Sequence, residues 1–304
     1  MVFESLEFLE NLSVDEKEKF FGSGRKERVK KPFPRSDMML NPLNLKHLNK
    51  IDSLKAGIVT LNLEDGISKE RKKEALYNIA LFVSNLKHSA SYIVVRVNPL
   101  DEGGEEEIKF LEKFSFEAFR ISKVKSPKDI EKALSLTDKN IHISMETKEA
   151  FSDIKALKID SRLKVANLGV LDLLNSLGLS QSLVTLDNPT IEYILSKFLI
   201  DCKSCDIYPI SFMYQNYKDT ENFRKWCLKE KKMGFGAKAC LGPAQVDVAE
   251  SIFGLEEKDI QKARHIVKVF EDNSSKGING FMDEKYGFID EPIYKDALLI
   301  LQSL

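Results

Sequence analysis

Glu146 and Asp172 stand at or just past the ends of two short apolar runs, 141–146 and 164–168, and are the residues best suited to chemistry. Both offer hard oxygen ligands with no His or Cys beside them. Such a pair suits Mg2+, which commonly takes one or two protein carboxylates and leaves positions for a substrate's own oxygens. Arg96, inside the run 92–98, adds a fixed positive charge. Its guanidinium fork can grip a carboxylate or stabilise negative charge growing on an enolate oxygen. Glu64 and Asp65, followed by Gly66, close another run, where they either surround metal-bound water or simply make a turn. Lys123, inside the run 118–124, adds a further positive charge that on residue type alone reads as an exposed lysine. On residue type and spacing alone, such groups are more often solvated loop charges.

Positioning such groups at one place requires elements that end together. Eight β-rich runs bounded by turn residues occupy 37–41, 57–63, 92–98, 118–124, 141–146, 164–168, 206–211 and 236–241. The stretches between them, among them 69–85, 128–136, 149–157, 190–201 and 221–233, are long enough for the crossover helices that parallel strands require. Repeated strand–helix units of this kind predict a (β/α)8 TIM barrel, usually ~250 residues, with a doubly wound sheet as runner-up. In a barrel the strand ends gather at one mouth, where unpaired charges in an apolar setting cost several kcal/mol unless matched or metal-bound. The expected division is an N-terminal extension 1–34, a barrel 35–255 and a C-terminal lid and helix 256–304.

The 304 residues are 43% hydrophobic and 31% charged, which excludes global disorder. Lys and Arg number 46 against 47 Asp and Glu, so no overall field recruits nucleic acid or an acidic membrane. No apolar stretch approaches the ~20 residues of a membrane span and no signal-peptide core opens the chain, so the expected compartment is the cytoplasm. Cys202, Cys205, Cys227 and Cys240 are too few and too irregular to staple the fold and read as reduced thiols. The basic cluster Arg25-Lys26-Glu27-Arg28-Val29-Lys30-Lys31 reads as a solvated, poorly ordered arm, or as a contact for an anionic partner.

Taken in order, the segments resemble the citrate lyase β-subunit-like branch of the HpcH/HpaI aldolase family. The pieces are Arg35-Ser36, Leu61-Asn62-Leu63-Glu64-Asp65-Gly66, Val95-Arg96-Val97-Asn98-Pro99, Ile121-Ser122-Lys123-Val124, Glu146-Thr147 and Leu168-Gly169-Val170-Leu171-Asp172-Leu173. They continue through Asp219 to Phe223 and Gly234-Phe235-Gly236-Ala237-Lys238 to Tyr286-Gly287-Phe288-Ile289-Asp290-Glu291-Pro292. The resemblance implies a Mg2+-dependent carbon–carbon lyase cleaving a citryl-, malyl- or citramalyl-CoA thioester to an acyl-CoA and a 2-oxo acid. It places the metal on Glu146 and Asp172, the substrate on Arg35, Arg96 and Lys123, and the catalytic work on Arg96, Asp290, Glu64 and Asp65. Asp290 would move a proton at the acyl-CoA carbon or activate water from a C-terminal lid, and its other reading is a helix N-cap. The resemblance also implies a homotrimer or hexamer. His47, His88, His142 and His265 fit none of the family positions, which leaves general-base work to carboxylates or metal-bound water.

Some positions depart from that pattern. Gly242 stands where relatives have a histidine, Ser211 where an aspartate is usual, and Asn222 where a glycine is usual; Leu40-Asn41-Pro42-Leu43 lacks the Pro-Gly turn. These loops shape the mouth, so alternatives stay open: a thioesterase or synthase on the same scaffold, a lyase of hydroxy acids without CoA, or a non-catalytic metabolite-binding relative.

Overall fold

The computed structural model describes residues 1–24, 26, 29 and 34–302. Eight parallel strands run in the order β7-β6-β5-β4-β3-β2-β1-β8. They are β1 (Ser36–Leu40), β2 (Ile58–Asn62), β3 (Tyr92–Val97), β4 (Ala118–Ile121), β5 (Asn140–Met145), β6 (Leu163–Leu168), β7 (Tyr208–Ile210) and β8 (Lys238–Cys240). A bridge from Ser211 to Lys238 joins the two ends, with Ser211 N donating to Ala237 O at 3.1 Å. Sequence-adjacent strands are neighbours in space throughout, so the barrel holds and the doubly wound alternative, which needs a reversal of strand order, does not.

The strands read as near-continuous apolar runs because both faces are covered, one by the barrel interior and one by helices; all five residues of β2 are buried. Ile58, Val94, Ala118, Val165, Ile210, Ala237 and Ala239 pack as one cluster, and the larger core surrounds it.

Around the closing seam sits a buried ion pair. Lys238 Nζ lies 2.6 Å from Glu230 Oε1 with both side chains fully buried, and Ser211 Oγ donates to the same oxygen at 2.7 Å. The ammonium also sits 3.7 Å from the centre of the Phe212 ring. Removing one partner leaves an uncompensated buried charge. Lys238→Met is therefore expected to lower stability by about 3–5 kcal/mol in chemical unfolding, whereas Lys238→Met with Glu230→Leu recovers most of the loss. A single variant as stable as wild type would show that the pair is not needed. This seam is also where Ser211, the departure from the family pattern, finds its role.

The N-terminal stretch is not a solvated arm. Leu9 is fully buried, Phe3 packs edge-on against Phe82 with centroids 5.1 Å apart, and Lys17 Nζ donates to Asn78 Oδ1 at 2.7 Å in a buried setting. Lys26, the described lysine of the basic cluster, is buried and ion-paired with Glu117. The segment lies as a strap on the helix Lys72–Asn85 and touches it with scattered residues, which leaves no apolar period to read. Arg25, Arg28, Lys30 and Lys31 lie outside the described residues, and so does the anionic-partner reading of the cluster.

The chain divides into two compact units, Met1–Phe253 and Gly254–Leu304. The second has the helix Glu257–Ser274, a hairpin of Gly280–Asp283 with Gly287–Asp290, and the helix Glu291–Gln302. Its core is Ala263, Ile266, Phe270, Ile289 and Ala297. The hairpin is an addition to the expected helical segment: at four residues a strand it is too short to register as a period. Among the described residues no helix is long and apolar enough to cross a membrane, and the four cysteines are free thiols.

Candidate active site

The mouth at the strand C-termini is built around Arg96. Arg96 is on β3, Glu146 directly follows β5, Glu64 lies two residues past β2, and Asp172 sits in the first turn of the helix Val170–Ser176 after β6. Because all strands are parallel, these four positions are carried to one end of the barrel. Arg96 Nη2 lies 2.7 Å from Glu64 Oε2 and 2.8 Å from Glu146 Oε1, and its side chain is 7% exposed. Arg96 Nε donates to Ser122 Oγ at 3.2 Å, which holds the guanidinium in place. Lys123 Nζ pairs with Glu64 Oε1 at 3.0 Å, and its backbone N–H reaches Glu146 Oε2 at 3.3 Å. Lys123 has φ of 51°, a left-handed conformation uncommon for a non-glycine residue, and this turn aims both groups at the two carboxylates.

Burial and charge set the protonation of the cluster. Burial works to raise Glu64, but Arg96, the Asp65 contacts and Lys123 outweigh it and hold the carboxyl at about 2. Asp65 moves the other way, to about 6, through burial and then through the Glu64 carboxylate beside it. Glu146 is raised: burial exceeds the attraction of Arg96, and the Glu64 and Asp172 carboxylates push in the same direction. Behind Glu64, Lys72 Nζ donates to Glu64 O and Asn98 Oδ1, each at 2.7 Å, and Glu107 accepts from Asn98 N at 2.9 Å. Burial lifts Glu107 to about 7.

Glu146 and Asp172 line one cavity of about 210 Å³ together with Arg96 and Asp65. Two carboxylates that repel across a cavity, with oxygen donors only, fit Mg2+, which rarely takes a full protein cage. The backbone makes room for them: a Cβ on Gly169 would collide with Glu146 Cγ. Gly169→Ala is therefore expected to displace the Glu146 carboxylate and weaken Mg2+ binding by 10- to 100-fold, the range typical of a disturbed ligand support. Isothermal titration with Mg2+ checks it, and unchanged affinity would mean that the glycine is not needed. Among the described residues no set of three or more His, Cys, Asp or Glu converges on a metal position, so the protein's share would be these two oxygens.

The other expected residues are distributed differently. Asp65 is at the mouth, 3.8 Å from Arg96 Nη2 and with its side chain 60% exposed. Arg35 precedes the N-terminal end of β1, where its carbonyl accepts from Lys238 N, and is not brought to the mouth. Asp290 belongs to the second unit, where Oδ1 accepts from Ile293 N at 3.3 Å as the cap of the last helix. Thr147 supports Glu146 from the next position: it caps the following helix and donates to Val124 O at 2.6 Å. Asp219 and Asn222 serve a helix cap that also holds Tyr214 OH at 3.1 Å. Sequence reading missed Asp37, Arg120 and Asn167, which lie inside strands. The available signal was a charged or amide residue in the middle of an apolar strand run.

Residues 35–243 match the family model described as HpcH/HpaI aldolase/citrate lyase. The chain is 25% identical over 232 residues to a (3S)-malyl-CoA thioesterase of Cereibacter sphaeroides, covering 76% of this chain and 80% of that protein. It is 25% identical over 291 residues to the mitochondrial citramalyl-CoA lyase of Homo sapiens, covering 88% and 84%. The crystal structure of CitE from Mycobacterium tuberculosis in complex with magnesium, acetoacetate and coenzyme A superposes with a TM-score of 0.72 at 17% identity, over 90% of this chain and 99% of that one.

Proposed function

The chain belongs to the HpcH/HpaI aldolase/citrate lyase family, and from that premise we propose that it is a Mg2+-dependent carbon–carbon lyase. Its substrate would be a citryl-, malyl- or citramalyl-CoA type thioester, cleaved to an acyl-CoA and a 2-oxo acid. One observation carries the reading: Glu146 and Asp172 face a single cavity with Arg96 at its wall. Bound there by Glu146 and Asp172, Mg2+ would supply Lewis-acid polarisation of the 2-oxo acid oxygens. Arg96, pinned between Glu64 and Glu146, presents fixed positive charge to the same acid and costs no reorganisation as charge develops. Glu64, ionised throughout the working range, orients Arg96 and Lys123. Asp65, raised to about 6, is suited to exchanging protons with water near neutral pH. Lys123 faces the thioester or a substrate carboxylate. Asp290 keeps the proton-transfer or water-activating role that the family resemblance implies. We extend the proposal to 35–255 as catalytic region, 256–304 as lid, a cytoplasmic setting and a homotrimer or hexamer.

The decisive assay is cleavage of the three thioesters by purified protein, with products identified by mass spectrometry. Release of a 2-oxo acid, abolished by EDTA and restored by Mg2+, is the expected result. Intact substrate after long incubation, with Mg2+ present, would overturn the lyase reading. A second reading is favoured by the malyl-CoA thioesterase relative: hydrolysis of the thioester by water gives free CoA and the intact hydroxy acid with no carbon–carbon cleavage, and the same mass-spectrometric product analysis separates the two.

A further inference from the structure

Glu64 has no strand ladder to hold it. It follows β2 by two residues, inside the turn that leads to the helix Lys72–Asn85. Its carboxylate nevertheless meets two cations, with Oε2 2.7 Å from Arg96 Nη2 and Oε1 3.0 Å from Lys123 Nζ. A turn residue keeps such a geometry only when its main chain is fixed from elsewhere. Lys72, the first residue of that helix, does this: Nζ donates to Leu63 O at 2.5 Å and to Glu64 O and Asn98 Oδ1, each at 2.7 Å. An ammonium has three N–H groups and no acceptor, so these three bonds use all of them. Two of the acceptors are consecutive carbonyls of the turn, and the third ties the turn to the end of β3.

Asn98 is itself oriented for this contact. Its backbone N–H donates to Glu107 Oε2 at 2.9 Å, and its side-chain nitrogen donates to Glu107 Oε1 and, at 3.2 Å, to Leu63 O. With both amide hydrogens placed there, the carbonyl end faces Lys72; the reversed amide would set N–H groups against the ammonium. Lys72 thus grips the main chain of Glu64, while Arg96 and Lys123 take its carboxylate. Lys72 also lines, with Asp65 and Lys123, a cavity of about 750 Å³, so a direct hold on the ligand is the rival role.

We infer that Lys72 is a positioning residue of the mouth, acting through the main chain of Glu64 to set that carboxylate between Arg96 and Lys123. The inference rests on the lyase reading for its effect on turnover, and not for the placement of Glu64. A loosened Glu64 frees Arg96, and a displacement of about 1 Å at a reacting centre can cost ~10²-fold. In the Mg2+-loaded full chain, Lys72→Met should therefore lower kcat and kcat/KM together by about 10- to 100-fold, the pattern of an interaction realised in the transition state. In a Glu64→Gln background the same substitution should cost less than about 2-fold, because residues that act as one unit are not additive. A direct contact with the ligand, or a purely structural role at the helix start, would instead multiply with the loss of Glu64. The crystal structure of the Lys72→Met chain reads the placement without substrate: at least one of the two Glu64 contacts, to Arg96 or to Lys123, should open beyond ~4 Å. A Lys72→Cys chain alkylated with 2-bromoethylamine, its modification at residue 72 confirmed by mass, regains an ammonium at lysine length and should regain most of the turnover of wild type treated alike. A cost in the Glu64→Gln background as large as in wild type, a Glu64 carboxylate that keeps both partners in the Lys72→Met structure, or a confirmed aminoethyl chain as impaired as Lys72→Met, overturns the inference. Wild type without turnover of any of the three thioesters defeats the lyase reading alone, and the crystal structure then decides the inference.

Discussion

Glu146→Gln is expected to lower thioester turnover by about 10³-fold or more and to remove measurable Mg2+ binding, while the fold survives. Glutamine keeps the shape of Glu146 but withdraws the negative charge that, with Asp172, makes the cavity a cation site. The wild-type carboxylate is 5% exposed, touched by Arg96 at 2.8 Å on one oxygen and by Lys123 N at 3.3 Å on the other. Burial raises its pKa, and the Glu64 and Asp172 charges add to that. A carboxyl raised in the folded state contributes stability that is full below its unfolded pKa of about 4.5 and is lost as pH climbs through the folded value. Measured without Mg2+, the glutamine variant should therefore gain on wild type between pH 5 and pH 8. Activity loss and stability gain in opposite directions identify a residue placed for chemistry at the expense of folding. A variant that still binds Mg2+ with wild-type affinity would remove Glu146 from the metal site and leave only its ion pair with Arg96.

How much of this was readable beforehand follows from which residues obey a period. The eight strands were legible because each is short, apolar and bounded by turn residues, and their ends brought Glu64, Arg96, Lys123 and Glu146 into direct contact and Asp172 into the same cavity. Arg35 lies beside the same β1 that carries the site, yet at its other end, because position relative to a strand's direction decides which mouth a residue joins. The strap at 1–24 resisted prediction for the opposite reason: a segment lying across a helix uses Phe3, Leu9 and Lys17 at irregular intervals, and long-range partners such as Asn78 cannot be inferred from spacing. Asp37, Arg120 and Asn167 were hidden inside strands that composition marked as apolar. They face one another only because the barrel closes, so Arg120 can meet Asp37 across 83 residues of sequence.

Arg96→Met should have the second large effect, and its pH dependence distinguishes it from ordinary damage. In the wild type one nitrogen, Nη2, stands between Glu64 and Glu146, both buried. Removing it leaves two neighbouring carboxylates with Lys123 as the remaining ion-pair partner of Glu64, and its side chain is 41% exposed and so a weak substitute. Loss of one partner from a buried ion cluster typically costs about 3–5 kcal/mol. The sign with pH reverses at Glu64. Wild-type Glu64, held at about 2, contributes stability that is full above its unfolded pKa and fades as pH falls toward 2. Without Arg96, the largest attraction holding Glu64 down is gone while burial still works to raise it, as it already raises Glu146. The variant then prefers protonated carboxyls, so its deficit against wild type should be greatest near pH 8 and shrink toward pH 5. Guanidinium unfolding at the two pH values reads this directly, and turnover should fall by about 10²–10³-fold in parallel because the fixed charge facing the 2-oxo acid is gone. A deficit that is equal at both pH values would mean that Arg96 contributes packing rather than charge. The electrostatic account of the mouth, with Arg96 as the cation that lets two acids stay buried and ionised, would then have to be abandoned.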